Sequence, residues 1–238
     1  MFSPHLEPES HRPPSLPQKT GRPTFYLLAL VLAAICMILS GVNAPAQESS
    51  SPTITHIQED WKVEIGTPDP DNEAPQIIVV CTPTGNIHDT HVVFELNHQS
   101  LPEYEAGGMQ LQRWVGEDPI HIHNHSANGL LSHDSETIQF TMSMRITDAQ
   151  QLRFEVLNGT SATWGNFGGD GQLRCSAWTP LDNLHAYNSQ SSLSQSRVGY
   201  ASHRVRKLAR TAVRYYAGDT LIATDSTERI VHQYTEGD

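Results

Sequence analysis

From Thr137 to Ile146 apolar and polar residues alternate without a break. Ile138, Phe140, Met142, Met144 and Ile146 hold every second position, and Thr137, Gln139, Thr141, Ser143 and Arg145 fill the gaps. A strand turns successive side chains to opposite faces. The period therefore predicts a strand with one buried apolar face and one polar face, on which Thr137, Gln139, Thr141 and Ser143 meet water. Alternation of this kind marks antiparallel sheets covered on one side only. Leu152, Phe154 and Val156 resume the pattern after Thr147, Asp148, Ala149 and Gln150, which predicts a hairpin.

Shorter runs extend the scheme. Trp61 to Ile65 alternates and reads as a first strand, and Ile77 to Cys81 is an apolar run suited to a strand covered on both faces. His91 to Asn97 sets Val92, Phe94 and Leu96 against Val93 and Glu95, and Met109 to Val115 sets Met109, Leu111 and Arg113 against Gln110, Gln112 and Trp114. Pro68, Pro70 and Pro75 exclude a strand between Thr67 and Pro75, because proline lacks the ladder donor. The His-rich stretch 116–135 and the Ser/Asn/Gln-rich stretch 180–197 read as loops. Val205, Leu208, Ala209, Ala212, Val213 and Tyr216 fit a helical spacing, while Val213–Tyr216, a turn at Gly218 and Thr220–Thr224 fit a hairpin. The hairpin is preferred for 213–224, and 203–212 stays open between helix and strand.

About eight short strands with turn signals between them predict an all-β, antiparallel two-sheet β-sandwich. A jelly roll of the concanavalin or laminin-G type fits best. Ahead of it, residues 1–24 carry Arg12, Lys19 and Arg22, Phe25 to Leu39 is apolar and uncharged, and Ala44-Pro45-Ala46 offers small residues for cleavage. Those features describe a signal peptide ending at Ala46, with a single hydrophobic membrane helix as the alternative. The expected organisation is thus 1–46 for export or anchoring, 47–58 as a flexible linker and 59–234 as the sandwich. Either way the domain is expected outside the cytoplasm, secreted, periplasmic or held at the cell envelope.

Composition narrows the partners. The chain has 238 residues, 37% hydrophobic and 17% charged, with a net charge of −11. An acidic surface repels phosphate backbones, so nucleic acid is not an expected partner. Once the leader is removed, Cys81 and Cys175 remain, both on apolar strand faces, and an exported domain invites a disulfide between them.

Three groups of residues suggest chemistry. In a strand His121, His123 and His125 would share one face at the spacing of a zinc grip, with His133 and Asp134 close by, but no adjoining glutamate supplies a base, and a polar surface loop explains them as well. Glu95 and Glu155 lie on polar strand faces, with Glu103 and Glu105 in a loop nearby in sequence, and are candidates for a glycosidase pair, which a retaining enzyme needs about 5–5.5 Å apart. Trp164, Phe167 and Trp178, with Asn158, Asn166 and Asp170, surround a glycine bend and form the best candidate binding surface, since aromatic faces stack on sugar rings while amides and carboxylates bond hydroxyls. Asp69, Asp71 and Asp170 offer oxygens to calcium, without a ligand-spaced repeat. No other cofactor is implied.

The segments Asn158 to Gly169, Arg204 to Leu208 and Val213 to Tyr216 resemble parts of uncharacterised secreted β-sandwich proteins of planctomycete bacteria. The resemblance spans most of 59–232 and implies fold and export, with no activity attached. The expected function is a non-catalytic extracytoplasmic module that binds a glycan or another envelope component. A carbohydrate-active enzyme on the same fold is the alternative, and a structural envelope protein the third reading.

Overall fold

In the computed structural model, the residues described are 51–66, 75–98, 108–125, 131, 135–169 and 171–235, with the side chains of 98 and 123–125 excepted. The expected leader with its cleavage site at Ala46, and Asp69, Asp71, Glu103, Glu105, His133, Asp134 and Asp170, lie outside them. Among the described residues no helix is long and apolar enough to cross a membrane.

The described chain forms two antiparallel sheets. The larger contains β1 (His56–Ile65), β6 (Thr137–Ile146), β7 (Gln151–Ser161), β8 (Gly165–Phe167), β9 (Arg174–Trp178), β11 (Val205–Ala217), β12 (Thr220–Asp225) and β13 (Arg229–Gln233). Its path runs β12-β11-β1-β6-β7-β8, with β13 also on β11 and β9 also on β7. The smaller runs β10-β2-β3-β4-β5, made of β10 (Arg197–Tyr200), β2 (Gln76–Cys81), β3 (His91–His98), β4 (Gly108–Val115) and β5 (Asp118–His125). One short helix, α1 (Ser189–Gln195), precedes β10 and is capped by the Asn188 side chain, which accepts from the Gln190 amide at 2.9 Å.

The core lies where the two inner faces meet. Ile57, Trp61, Val63 and Ile65 of β1 and Ile138, Phe140, Met142 and Met144 of β6 pack with Val79, Val92, Phe94, Leu96, Met109 and Leu111 of the smaller sheet. Phe94 and Phe140 meet edge to face, ring centres 5.1 Å apart, which joins the sheets at mid-sandwich. A two-sheet antiparallel β-sandwich is therefore the architecture, as the alternation required.

Several expectations change. The first strand starts at His56, inside the stretch expected as linker. Thr141 and Ser143 are buried, whereas Thr137 and Gln139 are exposed, because the outer face of the larger sheet is covered by its own polar side chains. The stretch 116–135 is not all loop: β5 pairs with β4 from Met109↔His125 to Val115↔Asp118. The stretch 180–197 contains α1 and the start of β10. The open segment 203–212 is a three-residue 3-10 turn followed by β11.

Candidate functional site

The expected aromatic surface does not assemble. Phe167 faces inward, 3% exposed, with its ring centre 6.4 Å from both Phe94 and Phe140. A Cβ on Gly159, its cross-strand partner, would lie 2.2 Å from the Phe167 ring, so that glycine makes room for core packing. Trp164 is partly buried against the same core. Trp178 is 72% exposed and pairs with Gln151, at the other end of β7 from Gly159. Eight residues of strand separate the two by roughly 26 Å at about 3.3 Å per residue. Asn158 and Asn166 are exposed and remain near the bend, without the aromatic platform. The bend itself is held by the buried carboxylate of Glu136, which accepts from the Ser161 hydroxyl and from the Thr163 amide at 3.0 Å.

The carboxylate pair fails for a topological reason. Glu95 sits on β3 and Glu155 on β7, in different sheets, each beside inward-facing neighbours (Phe94, Leu96 and Phe154, Val156). Both therefore point away from the core on opposite sides of a sandwich whose sheets pack about 10 Å apart, far beyond 5–5.5 Å. The cysteines are both free and buried. Cys175 on β9 lies near Arg113 of β4, while Cys81 on β2 faces Glu59 and Arg210, with β3 between those two strands. Burial pushes the Cys81 thiol well up and that of Cys175 up to about 12, so neither is a nucleophile. His121 is exposed, and the side chains of His123 and His125 lie outside the described residues. Among the described residues no cluster of three metal-ligating side chains forms.

Two polar networks arise that the sequence did not signal. Inside the sandwich, Glu59 is 0% and Arg210 1% exposed, with their charged atoms 3.9 Å apart. Tyr187 donates to Glu59 at 2.6 Å, Trp61 donates to its other oxygen at 3.1 Å, and Arg210 donates to the Ser189 carbonyl at 2.8 Å. Burial raises the Glu59 pKa against the opposing pull of Arg210 and the hydrogen bonds. The group is sealed from substrate, and it fastens α1 and the segment before it to the larger sheet.

The second network covers that sheet's outer face. Asp60 accepts from Arg214 at 2.6 Å and from Thr141 at 2.8 Å, and Gln58 accepts from Tyr216 at 3.0 Å. His56 stacks on Tyr216, ring centres 4.7 Å apart. Arg145 donates to Asp219 and to the Gly218 carbonyl at 3.1 Å, and its Nη2 lies 3.3 Å from His56 Nδ1. An arginine can only donate, so Nδ1 accepts and the imidazole is neutral, its Nε2 proton directed at Ser143 Oγ 3.0 Å away. Burial, helped by Arg145, lowers the His56 pKa to about 4, consistent with that neutral form.

The outer face of the smaller sheet is built differently. It carries a groove of about 360 Å³. Ile78 and Val80 of β2 and Val93 of β3 give it an apolar floor, Trp114 and His91 a wall, and Glu95, Gln112, Arg197 and Glu117 the polar groups. β10 positions Arg197 opposite Ile78. Where that pairing stops, the Ser196 hydroxyl accepts from the Val80 amide at 3.0 Å and donates to the Ser192 carbonyl at 2.9 Å. Along β4 a relay fixes the wall: Trp114 donates to Gln112 at 2.9 Å, and Gln112 donates to Gln110. His91 is stacked beside Trp114, ring centres 6.3 Å apart and planes within 12°. Burial pushes the His91 imidazole below its ordinary value against a hydrogen bond with the Ile87 backbone, and His88 adds to the downward push. His91 Nδ1 is buried with no hydrogen-bond partner among the described residues. Two carboxylates, an amide and a guanidinium thus surround an apolar floor and an indole.

That combination takes a ring with an apolar face and a rim of hydroxyls. Set against known proteins, the chain matches no family model and no curated protein.

Proposed function

We propose that the chain is an extracytoplasmic, non-catalytic binding module of jelly-roll type, exported through residues 1–46, and that it takes a glycan or another hydroxyl-bearing envelope component in the groove on its smaller sheet. The carrying observation is the joining of an apolar floor, a fixed indole and unlike hydrogen-bonding groups on one concave strand face. The likeness to secreted planctomycete sandwich proteins belongs to the same reading. Binding is favoured over hydrolysis by the spacing of the groove carboxylates. Glu95 lies opposite Gln110, whereas Glu117 sits in the turn after Val115, so the two are set apart by roughly 16 Å of strand at about 3.3 Å per residue. Both glycosidase geometries need closer pairs.

A glycan array probed with the purified protein tests the reading, followed by a reducing-sugar assay on any hit. The expected result is saturable binding that Trp114→Ala weakens at least tenfold, without release of reducing ends. Binding unaffected by Trp114→Ala would remove the groove from the proposal, and turnover would make the protein an enzyme.

A further inference from the structure

A second cavity opens at one end of the sandwich, between the sheets. Its volume is about 310 Å³, at the lower bound of small-molecule sites. Leu152, Phe154 and Val115 give it hydrocarbon walls, and Trp178 stands at its mouth. Two features there are unexplained by folding alone. Trp178 is 72% exposed, although a tryptophan side chain is among the largest apolar surfaces a protein can bury. Arg113 continues the inward row of Met109 and Leu111 on β4, so a guanidinium occupies the position where the next core side chain would sit.

The Arg113 side chain makes no ion pair or hydrogen bond among the described residues, and its Nε is buried without a partner. That is notable in a chain of net charge −11. Asp89, the acidic residue at the same cavity, is occupied elsewhere: its carboxylate accepts from Asn86 at 2.8 Å and from Thr84 at 3.3 Å. A half-buried cation without a counter-charge is costly, and a planar guanidinium fits a carboxylate through two parallel hydrogen bonds.

We infer that this cavity binds a small monocarboxylate with a short apolar body, an aliphatic or aryl acid. Its carboxylate meets Arg113, its hydrocarbon lies on Phe154 and Leu152, and the Trp178 indole covers it. The site is separate from the groove on the smaller sheet and does not depend on what that groove takes.

The test uses the full chain with 3-phenylpropionate and hexanoate as probes, and 3-phenylpropanamide and hexanamide as their uncharged counterparts. Calorimetry and tryptophan fluorescence read binding, and Trp178→Phe assigns the optical change. Both acids are expected to saturate one site, with the amides at least tenfold weaker. Arg113→Gln is expected to weaken the acids at least tenfold and to leave the amides unchanged. Trp178→Phe is expected to abolish the fluorescence response. Absence of saturable binding by either acid overturns the inference, as does an amide that binds as well as its acid, or an Arg113→Gln protein that keeps the affinity. Should Arg113→Gln not fold, the comparison of acid with amide on the unaltered protein decides.

Discussion

The two outer faces of the sandwich hold similar residue types and do different things with them. On the larger sheet the side chains of the outer network spend their hydrogen bonds on one another: Asp60 on Arg214 and Thr141, His56 on Ser143, Arg145 on Asp219. On the smaller sheet Arg197 and Glu117 stand exposed beside an apolar floor. A face whose groups satisfy one another adds to stability and has little left for a ligand. A face that leaves them apart gives up that stabilisation and gains the capacity to bind. The contrast predicts that substitutions on the first face change unfolding and those on the second change binding.

The interior pair gives the upper limit of the first behaviour. Arg210→Met leaves the Glu59 carboxylate buried without its cation, and should cost about 3–5 kcal/mol in urea unfolding at neutral pH. Burial raises the Glu59 pKa, so its folded form binds a proton more readily than its unfolded form. Loss of the cation raises that pKa further, and the deficit of the variant should shrink as pH falls. A deficit independent of pH would place its cause in packing instead.

On the outer face of the larger sheet, Asp60→Ala removes two hydrogen bonds, one of them to an arginine, and should cost about 1–3 kcal/mol. Equal losses from Asp60→Ala and from the groove substitution Arg197→Ala would erase the distinction between the faces. Acid sharpens it further. The folded pKa of His56 is lowered from 6.5 to about 4, so between those values the unfolded chain binds the extra proton. Stability from this group is complete above pH 6.5 and is lost as pH falls towards 4. His56→Gln should flatten that part of the curve of unfolding midpoint against pH, judged as the difference from the unaltered protein. The smallest effect belongs to the groove: Arg197, exposed at its rim, makes no side-chain bond to a described neighbour, so Arg197→Ala should change stability by less than about 1 kcal/mol while weakening the ligand severalfold. A large destabilisation there, with binding intact, would make that arginine structural.

The strands with one buried face were legible because each keeps a strict period of two. Ile138, Phe140, Met142 and Met144 are all buried, as are Val92, Phe94 and Leu96. The segment now known as β11 was ambiguous for a physical reason. Its pairing with β1 passes over Arg206 and again over Thr211. The buried Val205, Leu208 and Val213 are consequently not held to a spacing of two, and bulges that break alternation imitate a helical period. β5 escaped notice because it is an edge strand with Ile120 and Ile122 exposed, so no buried face stamps a pattern on it. The groove was half visible. The sequence set Glu95 apart from Phe94, and Gln112 and Trp114 apart from Leu111. That these residues meet Ile78, Val80 and Arg197 is decided by strand order, which no local period records.

The position of β1 has a consequence for the time course of folding. It is the first strand of the described chain, yet it lies inside the larger sheet between β6 and β11. Its residues His56 to Glu64 need Arg145 to Thr137 on one side, and Tyr216 to Lys207 on the other. A ribosome making this chain from its N-terminus delivers β1 long before either neighbour exists. The strand must wait, with Ile57, Trp61 and Val63 uncovered, until β6 and then β11 have been synthesised. Long loops must also close before the sheet gains its central pairings, which slows folding and lengthens exposure to aggregation. Synthesis rate and chaperone supply should therefore affect the yield of soluble protein.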